Sequence, residues 1–233
     1  MKRFYRTVSV GAAPGGFAVM LDGRPVRTPR KLPFAVPGRA LAEAVAGEWR
    51  GQGETVDLAA MRIGRIANTA IDLVAGQREQ AIRQIAVYGE TDLLCYRAAE
   101  PPELVARQAA RWDVPLEWLA QAHGARLTVT VGVAPAKQDG HALLAIAAAV
   151  AAFDSFPLTA LHMATAAAGS VVIGLALAAG RLDAAAAAEA ALLDDIWQIE
   201  RWGTDAEAQR RIDAVRADIE AAAEFFDLCR ETA

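Results

Sequence analysis

The sequence predicts an α+β fold, with a small β-containing front of about 90 residues followed by a helical back. Three observations carry that prediction. A hairpin pattern fills the stretch from Phe4 to Thr28, and apolar positions recur every three or four residues from Gly38 onward. Alanine supplies much of a 54% hydrophobic content in which aromatics are only 6%, a balance that favours helices and close packing between them. With 233 residues, 22% of them charged, and a mean hydropathy of +0.20, the chain can bury a core without a metal or disulfide staple. Disordered, collagen-like and disulfide-scaffold classes are excluded by the same figures.

The front opens with Phe4–Val10, a Gly-Ala-Ala-Pro-Gly-Gly turn at 11–16, Phe17–Leu21, the pair Asp22-Gly23, and Arg24–Thr28. Asp-Gly between apolar runs suits a type I′ turn, because both central residues need positive φ. Pro29, Pro33 and Pro37 then interrupt the chain, and Pro37 sits where a helix can begin. Leu41, Val45, Glu48 and Trp49 mark a first helix that ends at Gly51. Ile63, Ile66, Ala70, Ile71 and Val74 make a second apolar face, and Ile82, Ile85 and Tyr88 a third. Asp92–Arg97 is too short to assign. Pro101-Pro102 marks a boundary, after which a helix carries Leu104, Gln108 and Trp112.

Leu127–Val131, alternating and β-branched, reads as the clear later strand. Beyond it the pattern predicts helices over 142–153 and 158–179, then one running from the N-cap Asp183 to Gly203. Thr204-Asp205-Ala206-Glu207 reads as a capping box. Behind it Ile212, Val215, Ile219, Ala222, Phe226 and Cys229 form one apolar stripe. The seam divides the chain into an α+β part, 1–90, and a helical part, 91–233.

Met1–Arg6 leads into a β-like stretch, not an apolar run with a cleavage site, so no signal peptide is expected. A mitochondrial leader would be Ser-rich, and Ser9, Ser155 and Ser170 are the chain's serines; the expected location is bacterial cytoplasm. Phe156–Ala179 is long enough to span a bilayer, but Ala, Gly, Thr and Ser dominate it, and a buried helix is the better account. Cys95 and Cys229 form no C-x-x-C and fit a reducing compartment. A net charge of −4 argues against a nucleic-acid binder. The charge is uneven, however: residues 1–31 hold seven Lys/Arg against Asp22, and residues 181–233 hold six Arg against thirteen Asp/Glu. Solvated faces account for this, as would steering of a partner.

No phosphate loop or dinucleotide fingerprint is present. His123, His141 and His162 lack ligands at metal spacing, so no metal or other cofactor is expected, and His162 reads as a core residue. Ser155 and Ser170 have no G-x-S-x-G context. Asp194, Asp195 and Glu200 could be paired acids, but Asp195 and Glu200 are five apart on a helix with no general-acid partner, and a solvated helix face is the plainer reading. Arg24, Arg27, Arg30 and Lys31 could hold an anion or simply be solvated. No catalytic constellation stands out.

Four stretches stand out together: Arg3–Arg6; Leu21-Asp22-Gly23-Arg24-Pro25-Val26-Arg27-Thr28-Pro29; Leu41–Trp49 with Gln52; and Tyr88–Arg97. Met61 with Ala67–Asp72, Gln108 with Trp112-Asp113, and Glu200-Arg201-Trp202-Gly203 follow in order. This series closely resembles the assembly chaperones of F-type ATP synthase that bind the α subunit of the catalytic head, over roughly residues 3–228. The resemblance implies an N-terminal two-layer α/β sandwich and a C-terminal orthogonal helix bundle. It also implies a non-enzymatic, ATP-independent protein that keeps the unassembled α subunit from aggregating and releases it to the β subunit; nothing in the sequence demands a dimer, and a monomer is expected. The family's acidic residue before Trp-Gly falls on Glu200. Together with Trp202, Gly203 and Asp195 it makes the expected partner-binding set. Mitochondrial members continue with acidic residues and a His-Asp pair, whereas Thr204-Asp205-Ala206-Glu207-Ala208-Gln209 follows here, so no role of that His carries over.

Two other functions compete: a small-molecule enzyme that holds an anionic substrate at the basic hairpin, with Asp194, Asp195 or Glu200 as acid or base, and an unrelated helical adaptor. Trp49, Trp112, Trp118, Trp197 and Trp202 are candidate interface anchors, although core aromatics are the commoner fate of tryptophan.

Overall fold

In the computed structural model, which describes residues 1–231, Asp22 and Gly23 adopt φ of 48° and 76°. That is the backbone a type I′ turn requires. The turn joins β2 (Gly16–Leu21) to β3 (Arg24–Pro25), and β2 pairs antiparallel on its other edge with β1 (Val8–Ala13), in register from Val8↔Leu21 to Ala13↔Gly16. Asp22 also ties the entering chain to the turn. Its carboxylate accepts the N–H of Thr7 at 2.8 Å, the N–H of Arg6 at 3.0 Å and the Thr7 hydroxyl at 2.9 Å, and these bonds hold its pKa below the usual carboxylate range. Next to Gly16, Phe17 exchanges two backbone hydrogen bonds with Val36 at 2.8 and 2.9 Å. Gly16 sits at φ 139°, and a Cβ there would lie 2.1 Å from the Val36 carbonyl, so this close approach requires glycine.

Helix α1 (Arg39–Arg50) forms the second layer. Its buried side, Leu41, Ala42, Val45, Ala46 and Trp49, has the 3–4 spacing of one helix face and covers the buried Ala18, Val19 and Leu21 of β2. Helix α2 (Arg62–Thr69) has no cap of its own at Met61. Glu48 of α1 supplies one instead, accepting the N–H groups of Ile63 and Gly64, both at 2.8 Å. Burial outweighs these two bonds and raises the Glu48 pKa. A π turn, Ala70–Val74, extends α2, and α3 (Arg78–Ala86) follows.

The chain divides into two compact units. The first holds Met1–Arg78, Asp154–Ala160 and the chain from Glu224 onward; the second holds Glu79–Phe153 and Leu161–Ala223. In the second, β4 (Tyr96–Arg97) pairs parallel with β5 (Thr130–Val131). Helix α4 (Pro102–His123) starts with Pro at its first position and stops at Gly124, which is left-handed at φ 69°. The remaining helices are α5 (Gly140–Ala151), α6 (Ser155–Ala168), α7 (Val171–Ala178), α8 (Ala184–Ala191), α9 (Leu193–Trp202) and α10 (Ala206–Arg230). Helix α7 is buried from Val171 through Leu177, which makes it the centre of this unit's core. None of the helices among the described residues is long and apolar enough to cross a membrane.

Four local expectations change. The helix expected over 158–179 breaks at Gly169, φ 64°, and Ser170 starts α7. The Ser170 hydroxyl accepts the Ile173 N–H at 3.0 Å and donates to buried Asp92 at 2.7 Å, and Asp92 also accepts the Val172 N–H at 3.1 Å. The helix that Asp183 caps through the Ala186 N–H stops at Leu192, and α9 starts anew. The strand expected over 127–131 shrinks to Thr130–Val131, because the Gln138 side chain pairs with both the N–H (2.7 Å) and the carbonyl (3.0 Å) of Thr128 where a neighbouring strand would. At α10 the cap is Asp205, whose Oδ1 accepts the N–H groups of Glu207 and Ala208 at 2.8 Å, while the Thr204 hydroxyl donates to the Asp205 carbonyl.

Candidate partner-binding site

Helix α9 carries Asp195, Glu200 and Trp202, and Gly203 ends it with φ 82°, its N–H reaching the Ile199 carbonyl at 2.8 Å. Helix α8 and the α9 that follows it are fastened along α4 by contacts that grade from dry to wet. Trp112, fully buried, holds α8 by donating its indole N–H to the Ala190 carbonyl at 2.9 Å. One turn earlier on α4, Gln108 donates to Asp194 at 2.8 Å and accepts the Ala98 N–H at 2.8 Å. At the rim, the Arg107 guanidinium grips both Glu200 oxygens, at 2.6 and 2.9 Å. The bidentate fork holds the Glu200 pKa below, and the Arg107 pKa above, its ordinary value. The guanidiniums of Arg201 and Arg107 lie 4.4 and 5.9 Å from the ring centre of Trp197, so that indole is flanked by cations.

Asp195, Trp202 and Gly203 come together on one side of α9. They line a groove of about 200 Å³ with Ile199, Asp205 and Arg211. Asp195 is paired with Arg211 of α10, and Trp202 stands 78% exposed. Glu200, five positions after Asp195, is turned to α4 and does not line the groove. Three of the four expected residues therefore share a surface, and the fourth sits on the adjoining face. Sequence reasoning named Trp197 only as one of five candidate anchors and missed Arg107 and Arg211. Trp197 and Arg201 stand at i, i+4, a spacing that signals their contact; Arg107 is 93 residues from Glu200 and gives no local signal.

Of the five tryptophans, Trp112 and Trp49 (0% and 8% exposed) are core and Trp202 alone is strongly exposed among the described residues. The basic hairpin is partly committed internally. Arg27 donates to the Lys31 carbonyl at 2.9 Å, and Arg30 donates to the Asp72 carbonyl at 3.1 Å. His162 is half-buried, and burial lowers its pKa.

Residues 2–120 match the family model described as ATP12 chaperone protein. Over its length the chain is similar to the crystal structure of Atp12 from Paracoccus denitrificans, with 42% identity, a TM-score of 0.92 and coverage of 97% of both chains. The chain belongs to the ATP12 chaperone family. A crystal structure of a protein from Agrobacterium tumefaciens, described as a chaperone candidate, is 41% identical, with a TM-score of 0.91 over 97% of this chain and 85% of that one. The family is the one that the ordered motifs resemble. The ATP12 fold is likewise the expected one, with a small N-terminal sheet and a helical C-terminal region.

Proposed function

We propose that this protein is an ATP-independent chaperone of F-type ATP synthase assembly, which holds the unassembled α subunit in a 1:1 complex until the β subunit takes its place. The observation that supports the reading best is the likeness to Atp12 from Paracoccus denitrificans along 97% of the chain. Subunits of an obligate assembly expose core-like apolar surfaces until they meet, and such surfaces aggregate. A transient cover needs a shaped surface with an aromatic anchor, and Trp202 beside the α9–α10 groove has that character. Asp195, Glu200 and Gly203 complete the proposed contact, and the cytoplasm of a bacterium is its proposed setting.

The test is co-expression with the α subunit, scored by the α subunit remaining soluble. Glu200→Lys should melt within a few degrees of the parent and fail to protect the α subunit. Combining it with Arg107→Glu restores an ion pair of reversed polarity. If Glu200 meets the partner, the reversed pair does not restore protection; if Glu200 serves only Arg107, it does. Wild-type protein that leaves the α subunit insoluble overturns the proposed function itself.

A further inference from the structure

We propose that a groove on the first compact unit is a second docking surface, which takes an extended polypeptide segment carrying apolar side chains and carboxylates. A cavity of about 810 Å³ opens beside the hairpin, and Tyr5, Phe34 and Met61, only 2–5% exposed, give it a floor continuous with the core. The Tyr5 hydroxyl is spent on the Trp49 carbonyl at 2.6 Å, so the floor is apolar. A second hollow of about 320 Å³ adjoins the first, sharing Pro29, Arg65 and Asn68, and carries the groove on to Leu73. Met1, Phe4, Leu58 and Leu73 stand along it 63, 62, 54 and 38% exposed. Exposed apolar side chains that gather along one groove, instead of scattering singly, mark an interaction surface.

Charge and hydrogen bonding narrow the occupant. Arg24, Arg27 and Arg65 line the groove. With Arg30 these make four arginines along the two hollows against two carboxylates, Asp22 and Asp72, whose oxygens are already taken by backbone N–H groups of Arg6, Thr7 and Arg30 and by the Thr28 hydroxyl. The rim is therefore positive and complements carboxylates. Asn68 stands where the two hollows meet and makes them one continuous groove. Several arginines spread along that groove suit a polypeptide with spaced carboxylates better than a single-headed amphiphile.

The identity of the occupant as an unassembled client rests on the chaperone reading, so the test uses probes unrelated to ATP synthase. Full-length protein is titrated into a fluorescein-labelled peptide of alternating leucine and glutamate, into its leucine–lysine counterpart, and into the first peptide in the presence of laurate. The glutamate peptide should bind at least tenfold tighter than the lysine peptide. Leu58→Glu should weaken it tenfold or more, and Arg24→Glu with Arg65→Glu should invert the preference, with melting temperatures unchanged. Equal binding of the two peptides, no binding, or indifference to all the substitutions overturns the groove; stoichiometric laurate that displaces the peptide reassigns it to amphiphiles and overturns the proposal. Protection of the α subunit with no peptide binding sinks the groove alone. Peptide binding with no protection sinks the chaperone reading alone.

Discussion

Gly174 and Thr165 offer a sharp test of how tightly the second unit is packed. A Cβ at Gly174 would lie 2.5 Å from Thr165 Oγ1, 3.1 Å from Leu161 Cδ1 and 3.4 Å from the Thr165 backbone nitrogen. Alanine is better than glycine within a helix by about 1 kcal/mol, so without contacts Gly174→Ala would stabilise α7. Thr165 is fully buried and, being β-branched, stiff at χ1, so the new methyl meets an atom with little room to yield. Overpacking of this kind costs ~1–3 kcal/mol, and 2.5 Å places the site at the upper end. The net expectation is a loss of about 2 kcal/mol, read as a melting temperature lower by about 4–8 °C. Thr165→Ala alone removes a methyl group but also a buried hydroxyl that has no hydrogen-bond partner, and these effects roughly cancel. In the double variant the methyl added at position 174 enters the vacated space and keeps its helix gain. Gly174→Ala on the Thr165→Ala background should therefore be neutral or stabilising, a coupling of about 2–3 kcal/mol. Urea titrations of the four proteins measure it. Additive effects, or a harmless Gly174→Ala in the parent, would refute the packing argument.

Glu48→Ala should unfold the start of α2 by orphaning the N–H groups of Ile63 and Gly64, at a cost of about 2 kcal/mol, with Glu48→Gln losing less; thermal melts compare them. Burial pushes the Asp92 carboxyl up to about 6 from 3.8, so the folded state holds its proton more tightly than the unfolded chain. Its contribution to stability is full below pH 3.8 and lost as pH rises through 6, worth about 3 kcal/mol over that window. The stability difference between the parent and Asp92→Asn should accordingly shift against the parent between pH 4 and pH 7, and a pH-independent difference contradicts this. Trp112→Phe should cost ~1–3 kcal/mol by leaving the buried Ala190 carbonyl without its donor, with little loss for exposed Trp202→Phe as the control. The fully buried Cys95 thiol, pushed up to about 12 by burial and by neighbouring Asp92, should resist a thiol reagent at pH 8 until urea unfolds the chain; rapid native labelling at Cys95 would contradict that.

Local rules carried much of the fold. The Asp22-Gly23 turn, the Asp183 cap and the faces of α1 and α10 needed only spacing and turn chemistry, because near neighbours in the sequence determine them. The misplaced boundaries share a different origin. Gly169-Ser170 carries a local stop-and-start signal, a left-handed glycine and a capping serine, that the apolar residues around it outweighed, and Asp92, which fixes Ser170, lies 78 residues away. The strand at 127–131 looked complete from its alternation, yet its backbone partner is a side chain, Gln138. At the site, Glu200, Trp202 and Gly203 were picked out by ordered motifs, not by any local physical signal. Trp112 and Trp202 belong to the same residue type with opposite burial, and only tertiary packing separates them.

The make-up of the first compact unit has a consequence for synthesis. Its hairpin and α1 leave the ribosome early, but the unit also includes Asp154–Ala160 and the chain from Glu224 onward. Translation at ~5–20 residues per second puts roughly 7–30 s between the emergence of Arg78 and that of Glu224. During that interval the hairpin layer can form while the unit stays unfinished, and the long loop that closes it adds an entropic delay. Completion waits for the end of α10. A protein proposed to shelter another chain's unfinished surface thus bears one of its own throughout that interval.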